Sequence, residues 1–179
     1  MSERAEEWMY AYQSGDTEAL AHLYESFRKP LYCFVFRYTR DEQLSIDIVQ
    51  DVFVKIQSSR HGFDLSKGKV KSYLFQIAYN HMVTKLNRRK KWRTLLPFLA
   101  PPPVESIQQD DRMAVQAAVA ELPEIQRAVV LLFYYHDLSQ GEIAQILGVP
   151  KGTVKSRLHS AIQLLKKELG DFGYGAESI

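Results

Sequence analysis

The sequence predicts an all-α protein: two small helical domains joined by a flexible, proline-rich linker, the second domain containing a helix-turn-helix. Three observations carry this. Apolar residues recur at three- and four-residue spacing through most of the chain, the period of a helix with one buried face. Pro97, Pro101, Pro102 and Pro103 lie close together, and consecutive prolines favour an extended path that no helix follows. Toward the C-terminus a short helical segment, a glycine turn and a longer helical segment follow one another. The expected boundaries are residues 1–91 for the first domain, 92–110 for the linker, 111–170 for the second domain and 171–179 for a C-terminal tail.

The elements follow in chain order. Ser14-Gly15-Asp16 separates a first short helix from a second, with Asp16 as N-cap. Pro30 is read as opening the next helix at its first turn, where its missing N–H costs nothing. From Glu42 to about Ser58, Ile46, Val49, Phe53 and Ile56 mark one buried face. His61-Gly62 begins a turn-rich stretch ending near Gly68. A long helix then runs from about Val70 to Arg88, with Val70, Leu74, Ile77 and Leu86 near its apolar side. The linker holds Leu95, Leu96, Phe98 and Leu99, an unusual content for an inert tether; docking on a partner and packing on a neighbouring domain both account for it.

The second domain reads as four helices: Asp111 to Ala120, Glu124 to Tyr135, Gln140 to Leu147, and about Gly152 to Leu169. Ser139 followed by Glu142 is a capping box. Gly148 can end the short helix in a left-handed conformation, and Val149-Pro150 turns the chain. Val154, Leu158, Ala161 and Leu165 then give the last helix an inward stripe.

Composition narrows the function classes. The chain has 179 residues, of which 46% are hydrophobic and 25% charged, ordinary for a soluble protein. Helical domains of this size bury small cores and are marginal alone, so a partner can stabilise them. The longest apolar run, Ala128 to Tyr135, is far too short for a membrane span. The N-terminus is Glu-rich with no signal-peptide pattern, so a cytoplasmic location is expected. The single cysteine, Cys33, excludes an intramolecular disulfide and suits a small buried hydrophobe. His22, His61, His81, His136 and His159 are scattered, with no paired nucleophile and no ligand set. No catalytic residue, metal or cofactor is therefore expected.

A net charge of +2 says little about partners, but its distribution says more. Lys85, Arg88, Arg89, Lys90, Lys91 and Arg93 follow one another with no acid between them. Lys151, Lys155, Arg157, Lys166 and Lys167 lie on the last helix. Clustered base is the footprint of a phosphate-binding surface; a solvated face answers equally well to either cluster alone. With the apolar stripe turned inward, Lys151, Lys155, Arg157, His159 and Ser160 are candidates for the exposed side, or its margins, of a helix that fits a major groove. An ordinary helical hairpin with a polar face is the alternative. Asn80 and Thr153 suit caps or surface positions as well as recognition.

Three stretches resemble the sigma-70 family of bacterial RNA polymerase subunits. Asp47-Ile48-Val49-Gln50-Asp51-Val52-Phe53 is similar to its core-binding signature. Ser72-Tyr73-Leu74-Phe75-Gln76-Ile77-Ala78-Tyr79-Asn80, followed by Arg88-Arg89, resembles its promoter-melting region. Leu122-Pro123, Ile143 to Pro150 and Gly152 to Leu158 resemble its C-terminal promoter-binding helix-turn-helix. The order is collinear over nearly the whole chain, and the short length points to the extracytoplasmic-function group.

The resemblance implies a subunit that binds core RNA polymerase, directs it to promoter DNA and helps open the duplex. Core contacts would centre on Asp47, Gln50 and Asp51. Melted −10 DNA would meet Asn80, Arg88, Arg89 and Lys90. The −35 duplex would meet Lys151, Thr153, Lys155, Ser156, Arg157, His159 and Ser160. Related factors are commonly held by an anti-sigma factor, often membrane-associated. Tyr73 stands where many members have Trp, and Ser160 where many have Arg, so no promoter consensus transfers. A helix-turn-helix regulator that is not a polymerase subunit would share the last motif, but not the acidic match or the basic segment after Asn80. A purely structural helical protein accounts for still less.

Overall fold

The structure, a computed structural model, describes residues 2–64, 66–95 and 111–170. The described residues form α-helices without a strand: α1 (Ser2–Gln13), α2 (Glu18–Thr39), α3 (Glu42–Ser58), α4 (Val70–Leu95), α5 (Asp111–Glu121), α6 (Glu124–Val130), α7 (Gln140–Leu147) and α8 (Lys151–Gly170). α6 passes directly into a π-helical turn, Leu131–Tyr135. The all-α expectation holds. α4 continues past Arg88 to Leu95, so the first residues of the expected linker are helical. The rest of that linker, 96–110, and the tail, 171–179, lie outside the described residues.

Local chemistry sets most of the boundaries. Asp16 Oδ1 accepts from the Glu18 N–H at 2.9 Å at the start of α2. Arg40, with φ 56°, ends that helix in the left-handed region. Asp41 then caps α3, accepting from the Leu44 N–H at 2.8 Å, a cap the sequence reading missed. α4 takes part of its cap from a distant element: the Val70 N–H donates to Glu6 Oε1 of α1 at 3.1 Å. The expected capping box is present at α7, where Ser139 and Glu142 satisfy each other's backbone donors. Gly148, φ 64°, ends α7 in the left-handed conformation, and the Val149 N–H closes back on the Ala144 carbonyl at 3.0 Å.

Two expectations need correction. Pro30 does not open a helix but lies inside α2. An internal proline removes one backbone bond and costs about 3 kcal/mol. Leu23, Phe27, Leu31, Phe34 and Val35, all buried, continue one stripe through it, and at roughly 1.5–3 kcal/mol for each fully buried side chain their burial outweighs the break. Ile46 is not on the buried face of α3; it is 38% exposed. Leu44, Ile48 and Val52, spaced by four, are fully buried, and they turn Ile46 outward.

The helices of the first half pack around Leu23, Phe34, Ile48, Leu74 and Met82, and those of the second around Val129, Leu132, Ile143 and Val154. These are not separate cores. The buried side chains of both halves form one continuous cluster, because α4 packs on α7 and α2 packs on α5, α6 and the π turn. At the junction the ring of His136 sits 4.7 Å from that of Phe75 and 5.8 Å from that of Phe34, centroid to centroid. Phe34 and Phe75 have no exposed surface.

Candidate nucleic-acid interface and acidic helix face

α8 is the second helix of the helix-turn-helix. Its stripe of Val154, Leu158 and Ala161 is buried against the second half. That orientation leaves Lys151, Lys155, Ser156, His159 and Ser160 exposed, with Thr153 and Arg157 half-buried. The Thr153 N–H closes the first turn on the Pro150 carbonyl at 2.9 Å. Ser156 Oγ donates to the Thr153 carbonyl at 3.0 Å. Arg157 bears on the first half: its positive charge partly offsets the rise that burial imposes on the Tyr79 hydroxyl of α4. An exposed helix with cations near its start has the form required to enter a major groove.

On α4, Asn80, Arg88, Arg89 and Lys90 are all exposed. The Asn80 backbone carbonyl accepts from Thr84 Oγ1 at 2.7 Å. Arg89 Nη1 pairs with Asp41 Oδ2 at 2.6 Å, and Lys90 Nζ pairs across the junction with Glu124 Oε1 at 2.6 Å. Burial raises the Asp41 carboxyl's pKa, but the Leu44 N–H and Arg89 outweigh it and hold the group below its usual range. Of the aromatic residues, Tyr73 packs on Phe63 at 4.8 Å and Tyr79 is half-buried, while Trp92 is 54% exposed.

The acidic signature on α3 divides. Asp47 accepts from Gln43 Nε2 at 2.9 Å on the exposed side. Gln50 is exposed and lines an open cleft of about 460 Å³ between α2 and α3, with Tyr24, Arg28, Tyr32, Ile46 and Val49. Asp51 instead turns toward α4, where Lys85 Nζ lies at 2.7 Å and His81 Nδ1 at 3.5 Å from its Oδ2. Tyr24, Ile46 and Val54 expose apolar surface on α2 and α3. The sequence reading missed this apolar rim, since its periodicity assigned Ile46 to the core and gave no sign for Tyr24.

Among the described residues no cluster of His, Cys, Asp and Glu could hold a metal ion, and no helix is long and apolar enough to cross a membrane.

Known proteins match along the same axis. Residues 23–93 match the family model for sigma-70 region 2, and residues 112–165 that for sigma-70 region 4. The chain is 26% identical over 175 residues to the ECF RNA polymerase sigma factor SigW of Bacillus subtilis, covering 89% of this chain and 93% of that one. It is 28% identical over 159 residues to the ECF RNA polymerase sigma factor RpoE of Cereibacter sphaeroides, covering 86% and 88%. In fold it is similar to the sigma factor RpoE solved in complex with the anti-sigma factor NepR from Bartonella quintana, with TM-score 0.73, 21% identity and coverage of 84% and 96%. It is equally similar to CnrH solved in complex with the cytosolic domain of CnrY, with TM-score 0.73, 23% identity and coverage of 94% and 98%. With two regions of one family matched in chain order on an all-helical fold, the chain belongs to the sigma-70 family, in its extracytoplasmic-function group.

Proposed function

We infer that the chain is an alternative sigma factor, which binds core RNA polymerase, directs it to particular promoters and promotes opening of the duplex. The carrying observation is the tandem of region 2 and region 4 matches over residues 23–93 and 112–165. The chain supplies specificity and binding energy, and the core enzyme supplies RNA synthesis, in the cytoplasm.

Asp47 and Gln50, with the apolar rim of Ile46 and Tyr24, form the proposed core-binding face. A mixed face of this kind joins apolar burial to charge-assisted bonds with partner arginines. Asp51 contributes by fixing Lys85 and His81 on α4, so that core binding and the −10 surface share one scaffold. Asn80, Arg88, Arg89 and Lys90 would hold the melted strand, and the exposed residues from Lys151 to Ser160 the −35 duplex. The similar fold solved with the anti-sigma factor NepR supports extending the proposal to an anti-sigma partner, commonly membrane-associated, that covers the polymerase-binding face.

The test is reconstitution. Bacterial core polymerase stripped of other sigma factors should initiate from promoters upstream of this chain's target genes only when the chain is added.

A further inference from the structure

The promoter-reading surfaces proposed above cannot both engage their DNA elements at once in the arrangement the helices adopt. Two elements centred about 25 base pairs apart are about 85 Å distant along B-form DNA. A body of this chain length is about 40 Å across. In the closed arrangement Arg157 of α8 bears on Tyr79 of α4, and Gln76 Nε2 of α4 donates to the Gln145 carbonyl of α7 at 3.1 Å. Lys90, beside Arg88 and Arg89, is paired with Glu124. The helix-turn-helix thus lies over the helix that would hold the melted strand.

The contact that closes the molecule has one titratable ring at its centre. His136 follows the π turn and is 7% exposed. Its ring packs against both Phe34 of α2 and Phe75 of α4, which also touch each other, and its Nε2 is buried without a hydrogen-bond partner. Its carbonyl accepts from Lys71 Nζ. The charged groups that bear on it are cationic, Lys71 from α4 and Arg37 from α2; Arg37 itself lies over the neighbouring Tyr135 ring. Glu142 of α7 is engaged by Ser139, Ser72 and Lys69, and Asp137 is exposed. An imidazolium would therefore hold its Nε2–H buried without an acceptor, against two apolar rings and beside two like charges.

We propose that the closed form is a self-inhibited state latched by neutral His136, and that protonation of this histidine releases the second half from the first. The proposal rests on the sigma-factor reading for its consequence, that the two exposed DNA surfaces cannot reach their separate elements together, but the latch itself is independent of it. Opening frees Nε2 and restores an ordinary imidazole, so acid favours the open form. Between the usual histidine value of 6.5 and the closed-state value of about 4, each pH unit shifts the open-to-closed ratio about tenfold.

Energy transfer between dyes on cysteines placed at Glu25 and Glu168, both exposed, in a Cys33→Ser background reads the latch without DNA or polymerase. High transfer is expected at pH 7.5, falling as the pH approaches 5 while far-UV helicity persists. His136→Phe fills the same slot without a titrating group and should keep high transfer across that range. Low transfer at pH 7.5, or the same pH response in the His136→Phe protein, would overturn the latch. Failure to bind core polymerase, measured separately, would overturn the sigma-factor reading instead.

Discussion

The ring of His136 stands 4.7 Å from the ring of Phe75, centroid to centroid, and so ties the turn before the helix-turn-helix to the helix that carries Asn80. Burial first, then the charges of Lys71 and Arg37, push this imidazole down to about 4. Its neutral form belongs to the folded state, so its contribution is complete above pH 6.5 and declines as the pH falls toward 4. Across that window the folded state should lose roughly 3 kcal/mol. Urea midpoints measured from pH 7.5 to 4.5 should show the decline, and His136→Phe should flatten it. The carboxyls of Glu142 and Asp41 are also held below their usual values of 4.5 and 3.8, and their losses begin at lower pH.

Phe75→Ala should destabilise both halves together. The side chain is fully buried where α2, α4 and His136 meet, and truncation at such a site costs about 3–5 kcal/mol. A single cooperative denaturation at lower urea is expected by circular dichroism. Two transitions, with the second half unmoved, would show that the shared cluster is not energetically continuous.

Asp41→Ala should cost about 1–2 kcal/mol through loss of the α3 cap. It also releases Arg89 from its 2.6 Å pair. The variant should therefore be less stable in urea, while single-stranded DNA binding by holoenzyme stays equal or strengthens. A Glu124→Gln variant, which removes the ion pair between Glu124 and Lys90, provides the comparison without touching a cap.

The two carboxylates of the α3 signature should separate in their effects. Asp47→Lys should weaken core binding by roughly 2–5 kcal/mol if its partner charge is desolvated, and by much less at a rim, with helicity and urea stability unchanged. Asp51→Lys should lower stability as well, because it places a cation beside Lys85. Titration of labelled chain with core, alongside urea melts, checks both.

The DNA surfaces should divide recognition from opening. Lys155→Ala or Arg157→Ala should weaken −35 duplex binding by holoenzyme, by about 1–3 kcal/mol where a base contact is lost. Asn80→Ala should leave duplex binding intact and slow opening. A template already mismatched at −10 should rescue it, as read by permanganate reactivity. Equal defects on paired and mismatched templates would remove Asn80 from melting.

What was legible in the sequence was local. Ser139 and Glu142 are three residues apart, and both ends of their capping box lie within one turn, so composition alone locates α7. Gly148 is legible for the same reason. Pro30 misled because a rule about helix starts was applied where burial of Leu31 and Phe34 keeps the helix going. Ile46 misled because two sets of apolar residues on α3 satisfy helical spacing, and only the position of α2 and α4 decides between them. The direction of Asp51 toward Lys85, the capping of Val70 by Glu6, and the meeting of Phe34, Phe75 and His136 join residues far apart in sequence. Periodicity carries no signal for such pairs.

The central claim is tested most directly by one transcription measurement: sigma-free core polymerase on a linear fragment carrying a target promoter, with and without this chain. The account predicts a discrete transcript that appears only with the chain, scales with its concentration to one equivalent of core, and requires a higher concentration of the Asp47→Lys protein. Initiation no greater than that of core alone, from a folded chain at saturating concentration on promoters mapped to its own target genes, would contradict it.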